Sequence, residues 1–150
     1  MRILIDGDAC PVKDEVLRVA DRHRLPVLIV SNRWHRIDHW LVEQVVVPEG
    51  ADAADDVIAD RAEQGDVVVT ADIPLAARAL AKAAKAIDPR GRVFDDNSIG
   101  MQVAMRDLMK DLRETGAVTG GPAGFTRQDR SRFLDGIERL IQQIKRESRE

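Results

Sequence analysis

The first apolar run of the chain, ILI at 3–5, is too short for a helix and is cut off by Asp6 and Asp8. Wholly apolar runs of this length read as strands buried on both faces. From 11 to 23 the apolar positions Val12, Val16, Leu17, Val19 and Ala20 recur at helical spacing, with Pro11 tolerated in the first turn. The strand pattern returns in PVLIV at 26–30, VEQVVV at 42–47 and DVVVT at 66–70. A helix is predicted over 52–64, stopped at Gly65, and an alanine-rich one over 74–86, where intrinsic propensity is high. A short extended piece near Val93 and Phe94 precedes a helix over 98–115.

The last helix, at about 126–147, has the clearest pattern. Phe133, Leu134, Ile137, Leu140, Ile141 and Ile144 form one apolar stripe, and Thr126 with Asp129 resembles a capping box. Between the last two helices TGAVTGGPAGFT is rich in Gly and Pro, which marks a loop and a candidate lid or substrate-side segment.

Apolar strands alternating with helices predict a three-layer α/β/α fold with a mostly parallel central sheet, covered on both faces. At 150 residues one domain spanning 1–150 is expected. In such a sheet ligands bind beyond the carboxyl ends of the strands, where the strand order reverses. The acidic residues fall there. Asp6 and Asp8 follow the first strand, Asp72 the fourth, and Asp52, Asp55 and Asp56 open the helix after the third. Extended, Asp6 and Asp8 stand roughly 6–7 Å apart, within reach of a common ion.

Composition narrows the picture. A hydrophobic fraction of 44% and a charged fraction of 33% exclude a disordered chain. The longest apolar runs are strand-sized, far from the roughly 20 residues of a bilayer span. The start lacks a secretory pattern, so a cytoplasmic protein without a membrane partner is the expectation. One cysteine forms no internal disulfide and builds no zinc cage. A net charge of −3 excludes nucleic-acid binding by bulk charge, so any such binding needs a local patch. The arginine clusters RHR, RWHR, PRGR and RQDRSR are the places to look.

Capping alone accounts for any single aspartate placed before a helix. It accounts less well for the set, because like charges sharing a site repel and raise one another's pKa. Oxygen-only ligands suit Mg²⁺ or Mn²⁺, and an ion held by carboxylates with open water positions serves phosphodiester hydrolysis. On this reading Asp6, Asp8, Asp56 and Asp72 are catalytic and ligate metal, with Asp55 a further ligand. Lys13 neutralises the site or touches phosphate.

A rival chemistry fits the first motif alone. DGDAC resembles the opening of haloacid-dehalogenase-type phosphatases, in which the first Asp is a nucleophile, but Cys10 replaces the expected Thr or Val and TADIP matches the later motif poorly. Cys10 reads as a packed small hydrophobe and His23 as a helix-end residue near the last carbonyls. NRWHRIDHW holds both tryptophans, and Asn32, Arg33, Trp34 and Arg36 are the substrate-binding candidates. Aromatics interleaved with arginine suit stacking on unpaired bases, so single-stranded RNA is the implied partner; a packed or dimer-forming loop fits the same residues.

The quoted motifs together resemble the YaiI/YqxD family: DGDACPVKDEV, VVVPEGADAADD, VVTADIPLAARAL, DPRG, AMRDLMKDLRETG and TGGPAGFTRQDR. That family is of PIN-like fold. The wider likeness to PIN and NYN nucleases implies a parallel sheet whose acids bind Mg²⁺ or Mn²⁺ and cut RNA. Matched by position, Asp6 and Asp8 are the first acidic point, Asp56 (or Asp55) the second, and Asp72 the later one. Gly7 stands where the family opening has alanine, a change expected to be harmless, and 33–40 departs from the family's Pro- and Gly-bearing text. A non-catalytic RNA- or nucleotide-binding module is the alternative from another class.

Overall fold

Ile3, Leu4 and Ile5 are fully buried, and their side chains leave the strand on alternate sides, as a two-residue period requires. They belong to β1 (Ile3–Asp6), the centre of a five-stranded parallel sheet in a computed structural model that describes residues 1–8, 10–50, 52–114 and 124–148. The other strands are β2 (Val27–Ser31), β3 (Val42–Val46), β4 (Val67–Val69) and β5 (Lys85–Ile87), in the order β3-β2-β1-β4-β5. Ile3 pairs in register with Val27 on one side and Val67 on the other. The chain therefore runs outward from β1 through β2 to β3, then returns to the other side of β1 with β4. The strand order reverses between β1 and β4.

Helices cover both faces, completing the three layers. On one side α1 (Lys13–His23) and α5 (Arg127–Ser148) pack Val16, Val19, Phe133, Ile137 and Ile141 against Ile3, Ile5, Ile29 and Val69. On the other, α2 (Ala53–Arg61) and α3 (Ile73–Ala81) pack Ile58, Ala59, Leu75 and Ala79 against Leu4, Leu28, Val30 and Val68. Each large aliphatic side chain buried in this way contributes about 1.5–3 kcal/mol. α4 (Ile99–Glu114) starts beside α3, where Ile99 and Phe94 meet Ala76 and Ala86. Among the described residues no helix is long and apolar enough to cross a membrane.

The capping box forms as the spacing predicts: Thr126 donates its N–H to Asp129 Oδ2 at 2.9 Å, and Asp129 donates its own to Thr126 Oγ1 at 3.1 Å. His23 acts differently from the expectation. Its ring bridges Glu138 Oε2 and Lys145 Nζ, each at 2.8 Å, so it ties α1 to α5. The last carbonyls of α1 are met instead by the N–H of Arg24, in left-handed conformation.

Two elements depart from the predicted pattern. The alanine-rich helix ends at Ala81, and the residues expected to continue it reverse and form β5. The reversal passes through Ala83 at φ 63, a left-handed position held by an alanine where glycine would have signalled a turn. The other departure is the crossover from β2 to β3. Parallel strands are joined mostly through a helix, but residues 32–41 cross without one. Their side chains alternate: His35, Ile37, His39 and Leu41 are half-buried, whereas Trp34, Arg36, Asp38 and Trp40 face solvent. Ile37 and Leu41 join the α1 side of the core, and Gln44 clamps the crossover by bonding both backbone groups of His35. Most of the loop read as a lid, 115–123, lies outside the described residues.

Candidate metal centre

β1 delivers Asp6 to the carboxyl edge, and the next residue must be small. A Cβ at Gly7 would lie 2.7 Å from Ile29 Cγ2 and 3.0 Å from Ser31 Cβ. Glycine fits here as it stands, whereas alanine in its place requires Ile29 or Ser31 to shift. The tight turn lets Asp6 Oδ1 accept the N–H of Asp8 at 3.1 Å. Asp8 Oδ2 in turn accepts the N–H of Asn32 at 2.7 Å, fastening the start of the crossover. Asp8 Oδ1 lies 3.8 Å from His35 Nε2, a buried ring nitrogen with no hydrogen-bond partner.

From the other side of the switch point, β4 leads through Thr70 to Asp72. Thr70 Oγ1 accepts the N–H of Asp72 at 2.9 Å, and Asp72 Oδ1 accepts the N–H of Leu75 at 3.0 Å as the N-cap of α3. Capping is thus part of the role of Asp72. Asp52 sits at the N-cap of α2 without a side-chain cap bond. Asp55, in the first turn of α2, completes the group. Asp6, Asp8, Asp55 and Asp72 line one cleft of about 300 Å³, with Asn32, Thr70 and Pro89 among its walls.

The family model described as uncharacterized BCR, YaiI/YqxD family, matches residues 4–143. The chain belongs to the YaiI/YqxD family. A UPF0178 protein of Rhodospirillum rubrum is 55% identical over 148 residues, covering 97% of this chain and 99% of its own. One from Parvibaculum lavamentivorans is 58% identical over 145 residues, covering 96% and 95%. One from Gluconacetobacter diazotrophicus is 54% identical over 142 residues, covering 94% and 92%. No solved structure matches the chain.

Charge in the cleft of this YaiI/YqxD chain is crowded. Burial pushes the Asp55 carboxyl up to about 6, helped by the charges of Asp72, Asp6 and Asp52 and by a hydrogen bond shared with Asp72. Burial also raises Asp6, against the N–H of Asp8; Asp8 and Asp72 push it further up and Lys13 pulls it down. At the amino edge the contrast is plain. Buried Asp66 there accepts the N–H groups of Arg2 and Glu63 at 2.9 and 3.0 Å and meets the Arg2 guanidinium at 3.3 Å. That carboxylate is saturated by the fold, whereas those in the cleft are left facing one another.

Not every predicted residue joins them. Asp56 points away: its Oδ1 pairs with Arg78 Nη1 at 2.9 Å on the exposed side of α2 and α3. Consecutive helical residues differ by about 100° in direction, so one of the pair faces the cleft and the other does not. Asp55 is the one that does. Lys13 donates its Nζ to the Cys10 carbonyl at 3.2 Å and acts on Asp6 by charge, without lining the cleft. Cys10 is buried at the cleft's base, and burial pushes its thiol up. Asn32 is a wall residue, but Arg33, Trp34 and Arg36 lie on the outer face of the crossover. Pro89 was missed by sequence reasoning, because β5, the strand it follows, was hidden inside the predicted helix. Among the described residues, no three His, Cys, Asp or Glu side chains are arranged to hold a metal ion as they stand.

Proposed function

We propose that this protein is a PIN-like, Mg²⁺- or Mn²⁺-dependent phosphodiesterase of the bacterial cytoplasm, acting on RNA. Asp6, Asp8, Asp55 and Asp72 are the ligands. The observation that carries this reading is the convergence of four carboxylates at the β1/β4 switch point, with Asp55 held at about 6 by burial and by its neighbours. The donor set is oxygen alone, which suits a hard cation. A divalent ion there would orient water and stabilise charge developing on phosphate oxygens.

The chain's own residues set the conditions for that chemistry. Asp55 must give up the proton it shares with Asp72 before both bind, so affinity rises as pH passes about 6. Thr70 and the α3 N-terminus hold Asp72, the N–H of Asn32 holds Asp8 and that of Asp8 holds Asp6, so ordering the site calls mainly on Asp55 to turn. A second reading, a non-catalytic RNA- or nucleotide-binding module, draws on the absence of a ready-made ligand group among the described residues.

The test uses Asp72→Asn, because asparagine caps a helix as well as aspartate while removing the charge. Manganese should raise the melting temperature of the parent by binding the native form, by about 2.7 kcal/mol of stability at one hundred times Kd. Asp72→Asn and Asp55→Asn should blunt that rise, Asp56→Asn should not, and cleavage of a labelled single-stranded RNA should follow the same order. No manganese shift in the parent returns the site to the binding module. An acyl-phosphate on Asp6 would instead establish the aspartate-nucleophile phosphatase.

A further inference from the structure

A groove larger than the aspartate cleft lies elsewhere on the molecule. It has a volume of about 780 Å³ and lies between the turn after β5 and the amino-terminal half of α5. Four of its lining residues are arginines: Arg90 and Arg92 on the turn, Arg132 and Arg139 on the helix. Two sequence clusters, PRGR and RQDRSR, thus meet in space.

The floor is built by direct backbone contact. Gly91, at φ 93, packs so closely on α5 that a Cβ there would lie 2.5 Å from the Arg132 carbonyl oxygen. A Cβ at Gly136 would lie 2.8 Å from the Gly91 oxygen. The two glycines hold the turn arginines at a fixed height beside those of the helix. Arg132 and Arg139 are seven residues apart, two turns on one face and on the order of 10 Å along the axis.

Three acids share the groove, and two are committed to the backbone. Asp88 Oδ1 accepts the N–H groups of Arg90 and Arg92, both at 2.9 Å. Asp129 is buried and serves the capping box, with Arg90 and Arg132 at 3.9 and 3.7 Å from its oxygens. Asp135 is exposed, and Arg92 and Arg139 hold no ion pair among the described residues. The exposed side chains are therefore mainly guanidinium, and the lining carries a formal charge of +1, four arginines against three aspartates, on a molecule whose net charge is −3.

The groove and the cleft are neighbours. Pro89 is a wall of the aspartate cleft, and the residues on either side of it, Asp88 and Arg90, line the groove. We infer that the arginine groove takes the phosphate backbone of single-stranded RNA and leads it past Pro89 to the aspartates, an inference that rests on the phosphodiesterase reading. Among the described residues the groove's lining includes no aromatic side chain, so binding is by backbone charge and not by stacking on bases.

The experiment measures anisotropy of a labelled oligouridine across a salt series in EDTA, which keeps cation chemistry at the aspartates out of the reading. Parent, Arg139→Gln and the double variant Arg132→Gln/Arg139→Gln are compared, with melting temperatures as the folding control. Arg139 is exposed and holds no ion pair among the described residues, so its loss leaves the fold intact. Each lost contact should flatten the salt slope by about 0.7 log units, so over a fourfold rise in salt the double variant should lose about sevenfold less affinity than the parent. Asp135→Asn should bind more tightly than the parent, a gain that misfolding does not produce. Parent-like slopes in both arginine variants, or equal competition by polyglutamate or by uridine monophosphate, would overturn the assignment. Failure of the aspartate reading is distinguishable: RNA then binds through the arginines, while manganese produces neither a melting shift nor cleavage.

Discussion

Gly136→Ala should destabilise the protein even though alanine is the better helix former. Gly136 lies within α5, where exchange for alanine ordinarily gains about 0.8–1 kcal/mol. Here the new methyl group would stand 2.8 Å from the Gly91 carbonyl oxygen and 3.1 Å from Ile87 Cδ1. The turn cannot back away cheaply. Gly91 donates its N–H to Asp88, Asp88 donates to Arg92, and the Asp88 carboxylate holds two further N–H groups. Overpacking against such a fixed neighbour costs about 1–3 kcal/mol. Gly100, in α4, is the control, because a Cβ there meets nothing within 4 Å. Both substitutions gain propensity, Gly100 less because it lies near its helix start, so their difference is a lower bound on the overlap. At about 2–4 °C per kcal/mol, Gly136→Ala should melt roughly 2–12 °C below Gly100→Ala. Thermal unfolding followed by circular dichroism reads the difference directly. Equal melting temperatures for the two variants would refute the backbone contact, and with it the floor of the arginine groove.

Asp55 carries a pH signature. Its folded-state value of about 6 exceeds the ordinary value of about 3.9, so between these the native state holds more protons and stability falls as pH rises, with the full penalty above 6. Asp55→Asn should therefore melt above the parent near neutrality and lose that advantage below about pH 4; a pH-independent offset would contradict the assignment. Gly7→Ala should cost about 1–3 kcal/mol through Ile29 and Ser31, read as a lowered denaturation midpoint, and an unchanged midpoint would show that the turn yields freely. Phe133→Ala, at a fully buried position, should cost about 3–5 kcal/mol, whereas Trp34→Ala, 68% exposed, should stay within about 0.5 kcal/mol; chemical denaturation of both checks the core assignment.

Much of the layering was legible because it rests on local periodicity. The apolar triplets of β1 and β4 and the stripe of α5 announce their own burial, and the aspartates after β1 and β4 could be assigned to one edge once the strands were taken as parallel. What stayed hidden depends on single backbone angles and on side-chain direction. β5 was lost because Ala83 makes a left-handed turn without a glycine, inside a run with strong helix propensity. The choice between Asp55 and Asp56 turns on helix phase, which α2 takes from its packing on the sheet and on α3. The arginine groove joins two segments, 88–92 and 129–139, that are distant in sequence, through two glycines, and no local pattern reports such a meeting.

The placement of α5 has a consequence for synthesis. Ile3 and Ile5 are translated well before the side chains that cover their face, which include Phe133, Ile137 and Ile141. At about 5–20 residues per second, the ribosome needs on the order of 10 s to deliver that cover after β1 has been made. Once α2 and α3 have emerged, the nascent sheet carries one sealed face and one incomplete face until α5 arrives. Native docking on the α1 side is therefore a late event, and a stalled or truncated chain lacking α5 would present an apolar sheet surface to whatever binds unfolded protein.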